Sequence, residues 1–371
     1  FGSSHLGSSI SDHARRRGPV ISARLRVLGA MVGRSAAGAA AALFSACIAG
    51  ALAGHFRSGD PPLTVSLLVT RHGQACHNLL SDMGPGLVDM GGNRIPDAML
   101  TGFGMAECEK ARADLKSEAG DVDAIISSEL ARAIQTAWLV YNGNEFPGSK
   151  KVFVVPFLKE KNRWGFSANE PLSDTYVQRL KIFEALFPER VSHDEEQFSQ
   201  VFDGIKSWVD GKHIDYTYLE EALHKRGKSP AGTWKKFKRF LLQHVLPKLV
   251  HETGKRHFTL AVVTHSHLIA KSEVGGHCKG FYAGASKPYN TQTFRVEYKW
   301  DKEGLTLASD KVCTQLSGGT QSKAFKVEDY CLKDIGPVCA RDWRAHTRSG
   351  GGFVERASKN PTCQAADDVS G

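Results

Sequence analysis

Short, mostly apolar runs alternate with longer stretches of helical period through the middle of the chain. Thr64–Thr70 (TVSLLVT), Val122–Ser127 (VDAIIS), Val152–Leu158 (VFVVPFL) and Phe258–Thr264 (FTLAVVT) read as buried strands, and Thr293–Trp300 as a late edge strand. Gly104–Ala119, Leu130–Tyr141, Asp174–Phe187, Glu195–Val209 and Thr233–His251 read as helices, the third ended by Pro188. Continuous apolar strands alternating with helices predict an α/β fold. Its expected form is a three-layer sandwich, a mostly parallel central sheet flanked by helices on both faces. No internal repeat is visible.

The polar residues that follow the strands change the picture. Thr64–Thr70 runs into Arg71-His72-Gly73. The second strand runs into Ser127-Ser128-Glu129 and then Arg132, the third into Glu160, and the fourth into His265-Ser266-His267. In open parallel sheets, ligands bind beyond the carboxyl ends of the strands. Parallel pairing would therefore gather two arginines, two or three histidines and a carboxylate on one rim. Two arginines can grip a tetrahedral oxyanion through charge-assisted hydrogen bonds. A histidine among them can act as a covalent nucleophile if one ring nitrogen is neutral and the other is held by a hydrogen bond. Gly73 beside it lets backbone approach closely. Glu160 can protonate a leaving oxygen. Phosphoryl transfer, which needs positioning and charge stabilisation above all, is the chemistry this set suits.

These residues carry a resemblance. TRHGQACHN at Thr70–Asn78 resembles the R-H-G signature of the histidine phosphatase superfamily, in its phosphoglycerate-mutase-like branch. The resemblance continues through Leu100-Thr101-x-x-Gly104, Ser128-x-x-x-Arg132-x-x-x-Thr136-Ala137, Leu158-x-Glu160 and Val263-Thr264-His265, covering roughly Leu63 to Trp300. It implies a phosphoglycerate-mutase-like sandwich. It also implies hydrolysis of phosphate monoesters through a phosphohistidine on His72, with Arg71, Asn78, Arg132 and His265 holding the phosphate and Glu160 as proton donor. No metal or organic cofactor is implied, and the partner would be a phosphorylated small molecule or a phosphoprotein.

The chain also departs from the family pattern. Ser266 stands where the family has a glycine after its second histidine. Gln74, Ala75 and His77 replace the E, S and W of the mutase R-H-G-E-S-x-W-N. Gly165 follows Glu160 by five residues rather than four. Glu107, Asp89 and Asp97 are the other carboxylates that could donate the proton. Mutase-type phosphoryl transfer and a catalytically silent, membrane-tethered subunit of a larger assembly are the alternative functions. His265 and His267, two apart, could also be zinc ligands.

Composition and charge bound the remainder. The 371 residues are 41% apolar and 23% charged, which excludes a disordered or fibrous chain. The net charge of +9 would suggest nucleic acid if it lay on a folded face. Instead, residues 1–57 hold seven arginines against one aspartate, and the remaining chain is nearly balanced. Nucleic acid is not expected as a partner.

Residues 1–34 have the Ser- and Arg-rich composition of a targeting peptide. Residues 35–56 are uncharged, with an A-x-A pattern at Ala51–Ala53, and would serve as a cleaved signal or as a single membrane anchor. An organellar or secretory location follows from either. The cluster Lys235-Lys236-Phe237-Lys238-Arg239 reads as a solvated helix face, with a patch for acidic substrates or lipid head groups as the alternative.

Cys313, Cys331, Cys339 and Cys363 cluster near the C-terminus, where they would be disulfides or free thiols. Cys76 reads as a small apolar residue. The chain is thus divided into residues 1–57, a targeting peptide or anchor; 58–310, the phosphatase-like domain; and 311–371, a cysteine-containing extension with a disordered tail.

Overall fold

The central strand β1 (Leu63–Arg71) is buried on both faces along almost its whole length. In this computed structural model, Leu68 packs with the core under one helical layer, and Leu63, Val65, Leu67 and Val69 with the core under the other. The period-two split is the sandwich seen from its middle strand. The structure describes residues 63–78, 95–143, 150–160, 169–172, 174–188, 206, 208, 210, 212–226, 232–282, 285–301, 304–308, 313–320, 332–346, 354–355 and 357–359. The N-terminal segment, Asp89, Cys47, Cys331, Cys363, the C-terminal tail and nearly all of the helix expected at Glu195–Val209 lie outside these residues.

After β1 come α1 (Gly102–Asp114), the short α2 (Lys116–Ala119), β2 (Ala124–Ser128), α3 (Ala131–Tyr141), β3 (Val152–Val155) and α4 (Thr175–Leu186). Next are β4 (Ile214–Asp215) and α5 (Thr217–Arg226). Helix α6 (Trp234–Phe240) continues through a π-helical turn, Leu241–Val245, into α7 (Leu246–Thr253). The C-terminal half holds β5 (His257–Thr264), α8 (Ser266–Ala270), α9 (Glu273–Cys278), β6 (Thr293–Asp301), β7 (Gly304–Leu307), β8 (Cys313–Ser317), α10 (Leu332–Ile335) and α11 (Pro337–His346). The strand order is β4-β3-β2-β5-β1-β6-β7, with β8 also on β6. Strands β1 to β5 pair in parallel, and β6, β7 and β8 run antiparallel.

The four buried strands, and the helices expected at Gly104–Ala119, Leu130–Tyr141, Asp174–Phe187 and Thr233–His251, stand where the hydrophobic pattern puts them, within a few residues. Three differences have physical causes. The strand from Val152 ends at Val155, because Pro156 offers no amide to a ladder and Phe157 adopts φ 82°. The late strand β6 is interior, not an edge. It pairs with β1 from Leu63↔Trp300 to Thr70↔Thr293, and β7 and β8 share its other side. The sheet also extends past residue 310, since β8 belongs to it.

No helix of the described residues is long and apolar enough to cross a membrane. Lys235, Lys236 and Arg239 are exposed on α6 while Phe237 is buried, and Lys238 pairs with Glu273 at 2.7 Å.

Candidate active site

Register explains how residues far apart in sequence meet. Arg71 is level with Thr264 across the β1–β5 pair, so His72 and His265 leave the sheet side by side. Their rings lie 4.9 Å apart, centroid to centroid. Ser127 is level with Val263 on β2 and β5, which brings Ser128 under His265; Ser128 Oγ is 2.9 Å from His265 Nε2. Helix α3 starts just past β2. All eleven of its residues are buried, so Arg132 reaches the rim from inside the protein.

The tautomer of His72 follows from its partner. Nδ1 is 2.7 Å from the carbonyl oxygen of Gly73, which can only accept, so Nδ1 carries the proton. Nε2 then holds a lone pair, with Arg132 Nε at 3.4 Å. His72 and His265 are buried. Burial first, then the charge of Arg132, holds both imidazoles well below their usual range and keeps them neutral at pH 7. His77, 6.4 Å from His72 between ring centroids, is lowered by burial and then by Arg132 and Arg71. Asn78 Nδ2 donates to His77 Nε2 at 3.1 Å, and Asn78 Oδ1 accepts from Ala75 N.

Arg132 is fully buried. Its Nη2 donates to Asn169 Oδ1 at 2.9 Å and lies 3.6 Å from Glu160 Oε2. Arg71 Nη1 donates to Pro288 O at 2.8 Å. Glu160 is carried by the turn after β3. Thr264 Oγ1 at the end of β5 donates to Leu158 O at 2.6 Å and fastens that turn to the rim. Its neighbour Lys159 is turned inward, against Glu129 at 3.2 Å and Glu170 at 3.4 Å.

The loop after His72 needs its glycines. A Cβ on Gly73 would stand 2.7 Å from Gly104 O, and one on Gly104 would stand 2.0 Å from Gln74 O. This contact gives Leu100-Thr101-x-x-Gly104 its physical meaning. Gly73 N also donates to Thr136 Oγ1 at 3.0 Å, and that hydroxyl donates to Arg132 O.

All six residues singled out from sequence, Arg71, His72, Asn78, Arg132, Glu160 and His265, are among those described, on this one rim or the loops leaving it. The alternative donors are engaged elsewhere. Glu107 Oε2 accepts from Gln74 N at 2.7 Å. Asp97 accepts from Ala131 N, Leu172 N and Gln178 Nε2, so it caps the start of α3. Asp89 lies outside the described residues. Among those residues no three His, Cys, Asp or Glu side chains form a metal-ligating group, and His265 instead contacts Ser128. Sequence reasoning missed Asn169, which nothing in its local pattern marks, and it noted Ser128 without seeing its contact.

The three lowered histidines, His72, His77 and His265, set a pH dependence. Below about pH 6.5 the unfolded chain takes up protons that the fold refuses, so stability should fall as pH falls. Three such groups cost at most roughly 4 kcal/mol per pH unit. Urea unfolding at pH 7.5 and 5.5 should show the loss, and His72→Asn should reduce it. An equal loss in that variant would contradict the assignment.

A phosphoglycerate mutase from Bacillus anthracis str. Sterne is similar at 18% identity, covering 71% of this chain and 96% of its own, with a TM-score of 0.34. A phosphoserine phosphatase from Entamoeba histolytica is similar at 19% identity, covering 68% and 98%, with a TM-score of 0.34. The alpha-ribazole phosphatase from Shigella flexneri is similar at 13% identity, covering 68% and 97%, with a TM-score of 0.33. No curated protein sequence matches the chain. Residues 67–216, which carry Arg71, His72, Asn78, Arg132 and Glu160, match the model of the histidine phosphatase superfamily (branch 1).

Proposed function

We propose that the chain hydrolyses phosphate monoesters through a phosphohistidine on His72. The observation that carries this reading is the His72 ring. Its Nδ1 proton is committed to Gly73 O, and its Nε2 lone pair is held beside Arg132 and the ring of His265. Arg71, Arg132, His265 and Asn78 hold the phosphoryl oxygens. Nε2 attacks phosphorus, the N–P bond forms, and the ester P–O bond breaks with its electron pair going to the leaving oxygen. Glu160 protonates that oxygen, then takes a proton from the water that attacks phosphorus and breaks the N–P bond. Inorganic phosphate leaves and His72 is restored. The substrate is a phosphorylated small molecule or a phosphoprotein. An organellar or secretory location fits the N-terminal composition, and the Cys76–Cys339 and Cys278–Cys313 disulfides suit an oxidising compartment.

The chain should release phosphate from an aryl phosphate in the presence of a metal chelator. No release between pH 5 and 8 would sink the reading. Glu160→Gln should slow alkyl phosphates by about 10²-fold or more while slowing activated aryl phosphates far less, because an activated leaving group needs no proton. Equal slowing of both would move the donor elsewhere.

A further inference from the structure

Beyond the sheet, residues 332–346 fold back as the short pair α10 and α11, outside the stretch matched by the family. Cys339 on α11 is disulfide-bonded to Cys76, four residues after His72. The sequence leaves Cys313 and Cys339 as disulfides or free thiols and reads Cys76 as a small apolar residue. The structure corrects the reading of Cys76: Cys339 pairs with Cys76 and Cys313 with Cys278, while Cys108 is free and buried.

Further contacts hold α11 in place. The indole Nε1 of the fully buried Trp343 donates to Cys76 O at 3.3 Å. Asp342 pairs with Lys181 of α4 at 2.6 Å, and Arg341 forks onto Glu184 of α4. α10 lies against the start of α1 so closely that a Cβ on Gly102 would stand 1.8 Å from Lys333 O.

Both anchorages lead to the site. Cys76 sits in the loop that carries His77 and Asn78, and Cys76 N donates to Met99 O. On the other side, α4 supplies Gln178, which donates to Asp97 and to Glu129 O; Asp97 caps the helix that presents Arg132.

We infer that the C-terminal strap 332–346 is a positioning element of the active site, with Cys339 and Trp343 holding the His72–Asn78 loop in its phosphate-binding geometry. A displacement near 1 Å in such a loop can cost about 10²-fold in rate, so the strap matters even though it touches no substrate. Both sulfurs are buried, which suits a permanent staple. The inference rests on the proposed phosphate chemistry, and its test therefore reads binding as well as turnover.

The test uses the full chain. A non-reducing peptide map should show Cys76 joined to Cys339. Cys339→Ser should weaken inorganic phosphate binding by calorimetry about tenfold, and lower kcat for an aryl phosphate by about tenfold or more. Cys313→Ser removes the other disulfide and should lower Tm while leaving both quantities within about twofold. Trp343→Phe, which keeps the ring and loses the donor, should show a smaller loss of the same kind. Lys181→Asp and Asp342→Lys should each be impaired and the double exchange restored; these and Trp343→Phe carry the test if Cys339→Ser does not fold.

A folded Cys339→Ser chain that binds phosphate and turns over like wild type would overturn the inference. So would equal losses in Cys313→Ser, or a map lacking the Cys76–Cys339 bond. A wild-type chain that binds phosphate but hydrolyses no ester would overturn the proposed function alone, and phosphate binding would then decide the strap.

Discussion

Replacing His72 by alanine should abolish turnover of an aryl phosphate, by on the order of 10⁴-fold or more. The size follows from the role. A nucleophile divides one difficult displacement into two easier ones, and no neighbour can take its place. Ser128 is not a substitute, because its hydroxyl is engaged with His265. His77 is not a substitute either, because its Nε2 accepts from Asn78. The fold should survive, since the His72 ring bonds to the carbonyl of the next residue and to Arg132 Nε. Far-ultraviolet circular dichroism should therefore match the wild type. Rapid quench of the wild type with phosphorus-labelled substrate should trap label that acid removes and base preserves. Label persisting in His72→Ala would place the covalent step on another residue.

Arg132 should show the second-largest effect. It serves several partners at once: Nε faces His72, and Nη2 faces Asn169 and Glu160. A lysine keeps the charge but presents a single ammonium that cannot span those positions. Arg132→Lys should therefore lose about 10²- to 10³-fold in kcat, the usual scale for one preorganised donor to a developing charge. Arg132→Ala should lose more, because it also removes the cation nearest Glu160 and Asp97. Burial lowers the guanidinium's own proton affinity, while Glu160 and Asp97 support its charge. Steady-state kinetics together with inorganic phosphate binding would check this. Retention of kcat within tenfold in Arg132→Lys would show that charge alone suffices.

A reader of the sequence could see most of this site, for a definite reason. The runs at Thr64–Thr70, Val122–Ser127 and Phe258–Thr264 are mostly apolar, with no alternation of polar positions, because the strands are buried on both faces, and burial leaves its mark residue by residue. Once strands are parallel, their carboxyl ends share a rim. Arg71-His72, Ser128, Arg132 and His265 then become neighbours without any knowledge of distances.

The carbonyl that sets the His72 tautomer belongs to the next residue and is also local. Glu160 was legible only as a candidate. Whether it faced the pocket depended on Pro156 and Phe157 turning the chain and on Thr264 tying Leu158 to another strand. The exclusion of Glu107 and Asp97 likewise rests on backbone amides supplied by the His72 loop and by α3.

By itself, then, the chain's own pattern determined the layers, the mostly parallel pairing of the central strands and the rim chemistry, because each is encoded by burial within a short window. Tertiary structure alone decided the rest. β6 looks like an edge strand until β7 and β8 cover its far side. Asn169 becomes a partner of Arg132 only in the folded chain, since nothing in its local pattern marks it. Cys76 finds Cys339 across 263 residues of chain. No local pattern carries such pairings, because they depend on where two separately formed elements come to rest, and that is set by packing over the entire core.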